Sequence, residues 1–278
     1  MQGASRRLLL VGGVRLHVTR LGRSGHPAIV LAHGIADDGG CFREVATDLA
    51  RDHHVVLVDA RGHGRSEAPP AGYTATDHAR DLAGVIEALD LDRPAVLGHS
   101  MGATTALALA ANRPGLLRAV LLEDPPRWWT HAGLPTELQR AHNAGMRATL
   151  SALKRRTGAE LAAVQREAAP AWSDAAIADW VDATHRVSPR VIDSLPDQLE
   201  GNAALDWPRL VAAITCPVLL LTGDPERGAI VTSEAAAGFR ALVDDVEVAH
   251  LSGGGHGLRH DLPADYLAAV RTFLATVG

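Results

Sequence analysis

Cysteine is nearly absent. Only Cys41 and Cys216 occur in 278 residues, far apart in the chain, so no disulfide framework is supported and a reducing, cytoplasmic setting is expected. Lysine is rarer still, with Lys154 alone, and the 27 basic residues are outnumbered by 32 acidic ones for a formal net charge of -5. No basic stripe interrupts that balance, which excludes a nucleic-acid groove and gives no reason to expect an anionic membrane surface as partner. No apolar run reaches the length of a membrane-spanning helix. Ser5-Arg6-Arg7-Leu8-Leu9-Leu10 has the look of a twin-arginine export signal, but its apolar part is too short and is broken at Arg15, so it reads as a first strand. The 14 histidines lack the spaced cysteine or carboxylate partners of a zinc centre, and neither a metal nor a cofactor is expected. Internal repeats and low-complexity linkers are missing too. Oligomeric state is not encoded in any of this, and a homodimer stays open.

What is present is a set of short apolar runs, each ending in a chemically loaded turn. Gly98-His99-Ser100-Met101-Gly102 follows the run Pro94 to Leu97 and opens a small-residue helix from Ala103 to Asn112. A serine on a tight strand-to-helix turn projects its hydroxyl above a sheet, and the glycines two positions away remove side chains that would clash. The helix that follows points its N-terminal N–H groups at the same spot. Alone, the pentapeptide fits a structural turn equally well.

The surroundings sharpen it. Ala28 to Ala32 ends in His33-Gly34-Ile35, and Val55 to Val58 ends in Asp59-Ala60-Arg61-Gly62-His63-Gly64-Arg65-Ser66. Ala119 to Glu123 leads into Asp124-Pro125-Pro126, Pro217 to Thr222 into Gly223-Asp224-Pro225-Glu226, and Val246 to Leu251 into Gly253-Gly254-Gly255-His256-Gly257. Ala28 to Ala32, Val55 to Val58, Ala95 to Gly98 and Ala119 to Glu123 lack alternation, as strands buried on both faces do, which predicts a parallel central sheet. Val14, Leu16 and Val18 do alternate with polar residues and predict a strand with one wet face, paired antiparallel with Arg7 to Val11 through Gly12-Gly13. Helical patterns over Cys41 to Arg51 and Thr76 to Leu89 alternate with the strands, the signature of a doubly wound α/β fold. In such sheets ligands bind just past the carboxyl ends of the strands, where all the loaded turns lie.

Through H-G-I, D-A-R-G-H-G-R-S, G-H-S-M-G and the late G-G-H, in the order serine, acid, histidine, the chain resembles the α/β-hydrolases over nearly its whole length. The resemblance implies a mostly parallel eight-stranded sheet flanked by helices. It implies a core from 1–125 and 209–278 and an inserted helical cap from 126–208, where no strand pattern occurs and all five tryptophans, Trp128, Trp129, Trp172, Trp180 and Trp207, are found. Aromatic side chains give such a cap packing area and a ceiling for an apolar substrate. Trp128 and Trp129, which follow the sheet directly, are the expected pocket residues.

By the same resemblance Ser100 is the nucleophile, His256 the base that takes its proton, and the N–H groups of Ile35 and Met101 the oxyanion hole. His33, His63, His99 and His260 read as structural hydrogen-bonding residues. Asp37 and Asp38 read as turn residues around Gly39-Gly40. The acid has three candidates. Glu226 and Asp224 follow the seventh strand, the usual place, although Arg227-Gly228-Ala229 separate them from Ile230-Val231. Asp124 follows the sixth strand, the place used by haloalkane dehalogenases and zearalenone-lactone hydrolases, at the spacing from Ser100 found there, with Glu123 expected to point to the opposite face. A serine at the elbow, where dehalogenases and epoxide hydrolases carry aspartate, points to hydrolysis of an ester or lactone, and the tryptophan-rich cap to a small-molecule substrate with a bulky apolar or aromatic group. A carbon-carbon hydrolase of the meta-cleavage type and a non-catalytic ligand-binding relative are the alternatives.

Overall fold

The apolar runs become strands covered on both faces, except the one at Val246, which forms a partly exposed edge strand. The computed structural model describes residues 3–130 and 137–277. The strands are β1 (Ser5–Val11), β2 (Val14–Leu21), β3 (Ala28–Ala32), β4 (His54–Val58), β5 (Ala95–His99), β6 (Ala119–Glu123), β7 (Val218–Thr222) and β8 (Val246–His250). They form one sheet in the order β1-β2-β4-β3-β5-β6-β7-β8. β1 and β2 pair antiparallel through a turn in which Gly12 and Gly13 both have positive φ, and β2 is antiparallel to β4; every other pairing is parallel.

The helices are α1 (Arg43–Leu49), α2 (Ala75–Ala88), α3 (Met101–Asn112), α4 (Glu137–Lys154), α5 (Gly158–Ala168), α6 (Asp174–Arg186), α7 (Pro189–Asp193), α8 (Leu195–Ala203), α9 (Trp207–Ala212), α10 (Ser233–Arg240), α11 (Leu258–Asp261) and α12 (Pro263–Thr276). Because side chains alternate along a strand, each parallel strand feeds two cores. Val30, Val56, Val96, Val120, Leu122 and Leu220 pack with α2, α3, α9 and α10 on one face. Leu31, Leu57, Leu97, Leu121 and Leu221 pack with α1 and α12 on the other. The helix expected from Cys41 to Arg51 divides into a 3-10 turn, Gly39–Phe42, and α1, because the Asp38 side chain accepts from Gly40 N–H and starts the turn early.

The segment between β6 and β7 consists of helices joined by turns and short irregular stretches, with no strand among its described residues; residues 131–136 of the expected cap lie outside them. Its ends belong to the sheet's core. Trp207 opens α9, is 1% exposed, and packs with Val211 in the cluster that contains α3. Trp128 and Trp129, the expected pocket residues, both contact the core. Trp129 is 5% exposed, meets Phe239 edge-on at 4.8 Å and donates its indole N–H to Ala235 O at 2.8 Å. Trp128 stacks on Trp207 at 6.2 Å and donates to Thr104 Oγ1 at 3.2 Å. A buried indole needs an acceptor for its N–H, and both acceptors here lie on core helices, so Trp129 is a core residue while the partly buried Trp128 rests on the same layer.

Trp129→Ala is therefore expected to lower folding stability by about 3–5 kcal/mol, as large-to-small changes in a packed core do. Chemical denaturation followed by far-UV circular dichroism measures it; a loss below about 1 kcal/mol would place the ring outside the core.

Candidate active site

β5 ends at His99, and Ser100 follows in a left-handed conformation, φ +51° and ψ −111°, before α3 begins at Met101. A serine held there is strained, and such strain persists only where the surroundings over-determine it. They do so through glycine. A Cβ on Gly102 would stand 2.0 Å from Ala32 O, and one on Gly98 would stand 2.3 Å from Gly102 O. The first turn of α3 thus presses against the end of β3 and against its own approach strand. Ser100 N–H also donates to Glu123 O at 3.0 Å, tying the elbow to β6.

The loop after β3 closes over the elbow. A Cβ on Gly34 would lie 2.8 Å from His99 Nδ1 and 3.5 Å from Ser100 Cβ, so only glycine lets the loop come this near. Its turn is closed by Asp37 N–H donating to Gly34 O at 3.3 Å, and Ile35 N–H finds no backbone acceptor among the described residues. Met101 is the first residue of α3 and its N–H has no intrahelical acceptor. The two N–H groups expected as the oxyanion hole are carried by these two converging segments.

The acid candidates separate cleanly. His256 Nδ1–H donates to Asp124 Oδ2 at 2.6 Å, while the imidazole is 37% exposed and Asp124 is fully buried. The same carboxylate accepts from Ile230 N–H at 2.8 Å and Val231 N–H at 2.9 Å. Asp224 is occupied elsewhere, accepting from His250 Nε2 at 3.0 Å and Gly253 N–H at 2.7 Å. Glu226 is exposed on the 3-10 turn Pro225–Arg227. The structure brings Asp124 to His256 and leaves Glu226 and Asp224 away from it. The Ile230-Val231 pair that follows the seventh strand lends its N–H groups to Asp124.

Glu123 points to the opposite face. There it meets Arg259 Nη1 at 3.0 Å and the Tyr266 hydroxyl at 3.0 Å. Arg259 also reaches Asp37 Oδ2 at 3.3 Å and Cys41 O at 3.3 Å. Burial opposes the Arg259 charge, yet Glu123 leads the groups that hold its pKa above the ordinary value. A fully buried cation thus links the sheet end, the loop after β3 and α11, three residues beyond His256. No sequence signal marked it. Asp38 accepts from Gly40 N–H at 2.7 Å as expected, whereas Gly39 N–H goes to Asp59 Oδ1 at 2.9 Å.

Of the histidines read as structural, His99 sits closest to the chemistry. Burial drives its pKa well down, keeping the ring neutral, and its Nε2–H donates to His256 O at 3.0 Å. His33 accepts from Ala60 N–H at 3.0 Å and donates to Gly34 O at 2.7 Å, bracing the loop. His63 meets His33 edge-on at 5.1 Å and His78 at 6.5 Å.

Comparison with known proteins gives the family. A family model described as alpha/beta hydrolase fold matches residues 27–259. The chain belongs to the alpha/beta hydrolase family. It is 30% identical to the N-formylmaleamate deformylase of Pseudomonas putida over 94% of this chain and 93% of that one. It is 27% identical to the 2-(acetamidomethylene)succinate hydrolase of Mesorhizobium japonicum over 95% and 93%. Among solved structures, an enol-lactonase from Burkholderia xenovorans aligns with TM-score 0.76 at 24% identity, covering 97% of this chain and 100% of that chain, a likeness of fold. The protein is a hydrolase. No helix among the described residues is long and apolar enough to cross a membrane.

The neutral histidines under this hydrolase's loops give stability a pH dependence. Burial, aided by Arg61, pushes His78 down to about 3. The unfolded chain protonates this imidazole near its ordinary value and the folded chain does not, so the unfolded state gains protons first and stability falls as pH drops below about 6.5. Relative to His78→Gln, the wild type should lose about 2 kcal/mol between pH 7 and pH 5, measured by urea denaturation. Equal pH slopes in the two proteins would contradict a neutral buried His78.

Proposed function

We propose that this chain is a serine hydrolase that cleaves a carboxylic ester or lactone through an acyl-enzyme on Ser100. The observation that carries the reading is the 2.6 Å bond from His256 Nδ1–H to a buried Asp124 carboxylate already anchored by Ile230 and Val231. That bond fixes the tautomer in which His256 Nε2 is the free base.

Ser100 Oγ attacks the substrate carbonyl carbon while His256 Nε2 takes the hydroxyl proton. The carbonyl oxygen, now negative, is met by the N–H groups of Ile35 and Met101. The bond to the leaving oxygen then breaks as His256 returns the proton to it, releasing an alcohol, or the tethered alcohol of an opened lactone. Water attacks the acyl-serine in the same way, giving its proton to His256, and the carboxylic acid departs as Ser100 recovers its hydrogen. Asp124 stays ionised and stabilises the imidazolium in each half.

The segment between β6 and β7 serves as the cap and sets specificity. The Ile35 side chain packs against Tyr73, Val187, Val191 and Ile192, which makes an apolar wall beside the oxyanion hole. The nearby cation, Arg186, is committed to Asp38 at 3.1 Å and Asp182 at 2.7 Å. Both features favour an uncharged apolar or aromatic acyl group. A second reading, hydrolysis of an N-acyl bond, draws on the relatives named for N-formyl and acetamido compounds, alike over more than nine-tenths of both chains. Matched ester, lactone and N-acyl substrates, assayed beside a cleavable diketone, separate the readings; ester or lactone turnover well above the others is expected.

Ser100→Ala should abolish turnover with the fold retained. Asp124→Asn should lower kcat/KM by about 10⁴-fold, because a neutral amide cannot select the tautomer or stabilise the imidazolium, and Glu226→Gln should retain most activity. The reverse ranking would move the acid to the seventh-strand loop, and a wild type inert to the whole panel would favour a ligand-binding role.

A further inference from the structure

His256 sits in a loop whose two neighbouring residues are held from outside by one pair of side chains. Gly255 N–H donates to Asp261 Oδ2 at 2.7 Å. The other oxygen of that carboxylate, Oδ1, accepts the indole N–H of Trp172 at 3.0 Å. The same indole lies against Gly257, where a Cβ would stand 2.9 Å from Trp172 Cζ2, and against the His260 ring at 4.2 Å. Burial keeps His260 neutral, with its pKa pushed down to about 2, so it stays an apolar partner to the indole at any working pH. From inside, His99 holds the His256 carbonyl.

Asp261, His260 and His99 all come from the α/β core. Trp172 alone comes from the helical segment between β6 and β7, in the turn between α5 and α6. The next residue, Ser173, caps α6 by accepting from Ala176 N–H and donates to Glu44 at 3.0 Å. Asp179 on α6 accepts two bonds from Arg43, and Arg186 at its end pairs with Asp38. α6 is therefore docked along the core, with Trp172 at the end of it that touches the histidine loop.

We propose that Trp172, through Asp261, is a positioning residue that couples the seating of the helical segment to the orientation of His256. The proposal rests on the assignment of His256 as the base. When α6 is seated, the indole covers Gly257 and orients the Asp261 carboxylate, which in turn fixes Gly255, so the imidazole is confined between two held residues. When α6 lifts, the indole N–H leaves Asp261 and the loop loses its outer restraint. Base placement then depends on closure of the segment that encloses the substrate.

The test uses the full chain in two forms. Trp172→Phe keeps an aromatic ring over Gly257 and loses the N–H; Asp261→Asn keeps the size and disrupts one of the two bonds. With p-nitrophenyl acetate, a substrate too small to need the cap, kcat should fall about tenfold in both while KM moves less than about threefold, since a displaced base slows the chemical step more than it weakens binding. Independently of turnover, the far-downfield proton NMR signal of His256 Nδ1–H in its bond to Asp124 should be sharp in the wild type and broadened in both variants, with circular dichroism unchanged. Unchanged kcat together with an unchanged proton signal overturns the proposal. A change confined to KM, graded with substrate size, also overturns it and makes Trp172 a wall of the pocket. If the wild type turns over none of the substrates, the hydrolase reading fails while the proton signal still decides whether Trp172 and Asp261 restrain His256.

Discussion

A carboxylate taken out of water is costly unless hydrogen-bond donors replace the solvent it has lost, and much of the site is arranged around supplying them to Asp124. Its donors come from two places, Ile230 and Val231 beyond β7 and His256 beyond β8, while Asp124 itself follows β6. Satisfying one buried charge therefore fixes the relative positions of three strand ends. The backbone complies, with Asp124 at φ +40°, a conformation that aspartate tolerates better than most residues. Removing a partner would leave the charge unpaired in the interior, which is why the loops around it are so heavily tied.

The other side of the site depends on close backbone approach. Gly34, Gly98 and Gly102 each stand where a Cβ would collide with a neighbouring segment, and together they bring the loop after β3, the strained Ser100 and the free N–H of Met101 to one point. Beneath them the buried Arg259 ties Asp37 to Glu123 from the far face of the sheet. Adjacent residues on β6 and just past it thus serve opposite faces: Glu123 anchors the scaffold and Asp124 meets the histidine. Polar groups on both sides of the sheet end lock loops that carry no regular structure of their own.

Much of this was legible in the sequence. Continuous apolar runs marked the parallel strands because both faces are buried, and Ala28–Ala32 and Ala119–Glu123 were read with the bounds they have in the structure. Ser100 and His256 could be picked out because their flanking glycines are unusual and local. The acid could not be chosen from sequence, since Asp124, Asp224 and Glu226 all follow strands and only the third dimension decides which carboxylate reaches the imidazole. The position of Trp128 and Trp129 after β6 likewise carries no information about which way an indole turns, because their acceptors, Thr104 and Ala235, are far away in the chain. Arg259, His99 and Trp172 act through contacts across 136, 157 and 89 residues, and no local pattern announces those.

An activated nucleophile at Ser100 should react with an electrophile that mimics an acyl substrate. Incubating the native protein with a fluorophosphonate, which phosphonylates only a serine whose proton is removed by a neighbouring base, and mapping the adduct by peptide mass spectrometry tests it without knowledge of the substrate. One label per chain is expected, on Ser100, and none when His256 is replaced by alanine. Absence of labelling in the folded wild type, or a label on another serine, would contradict it.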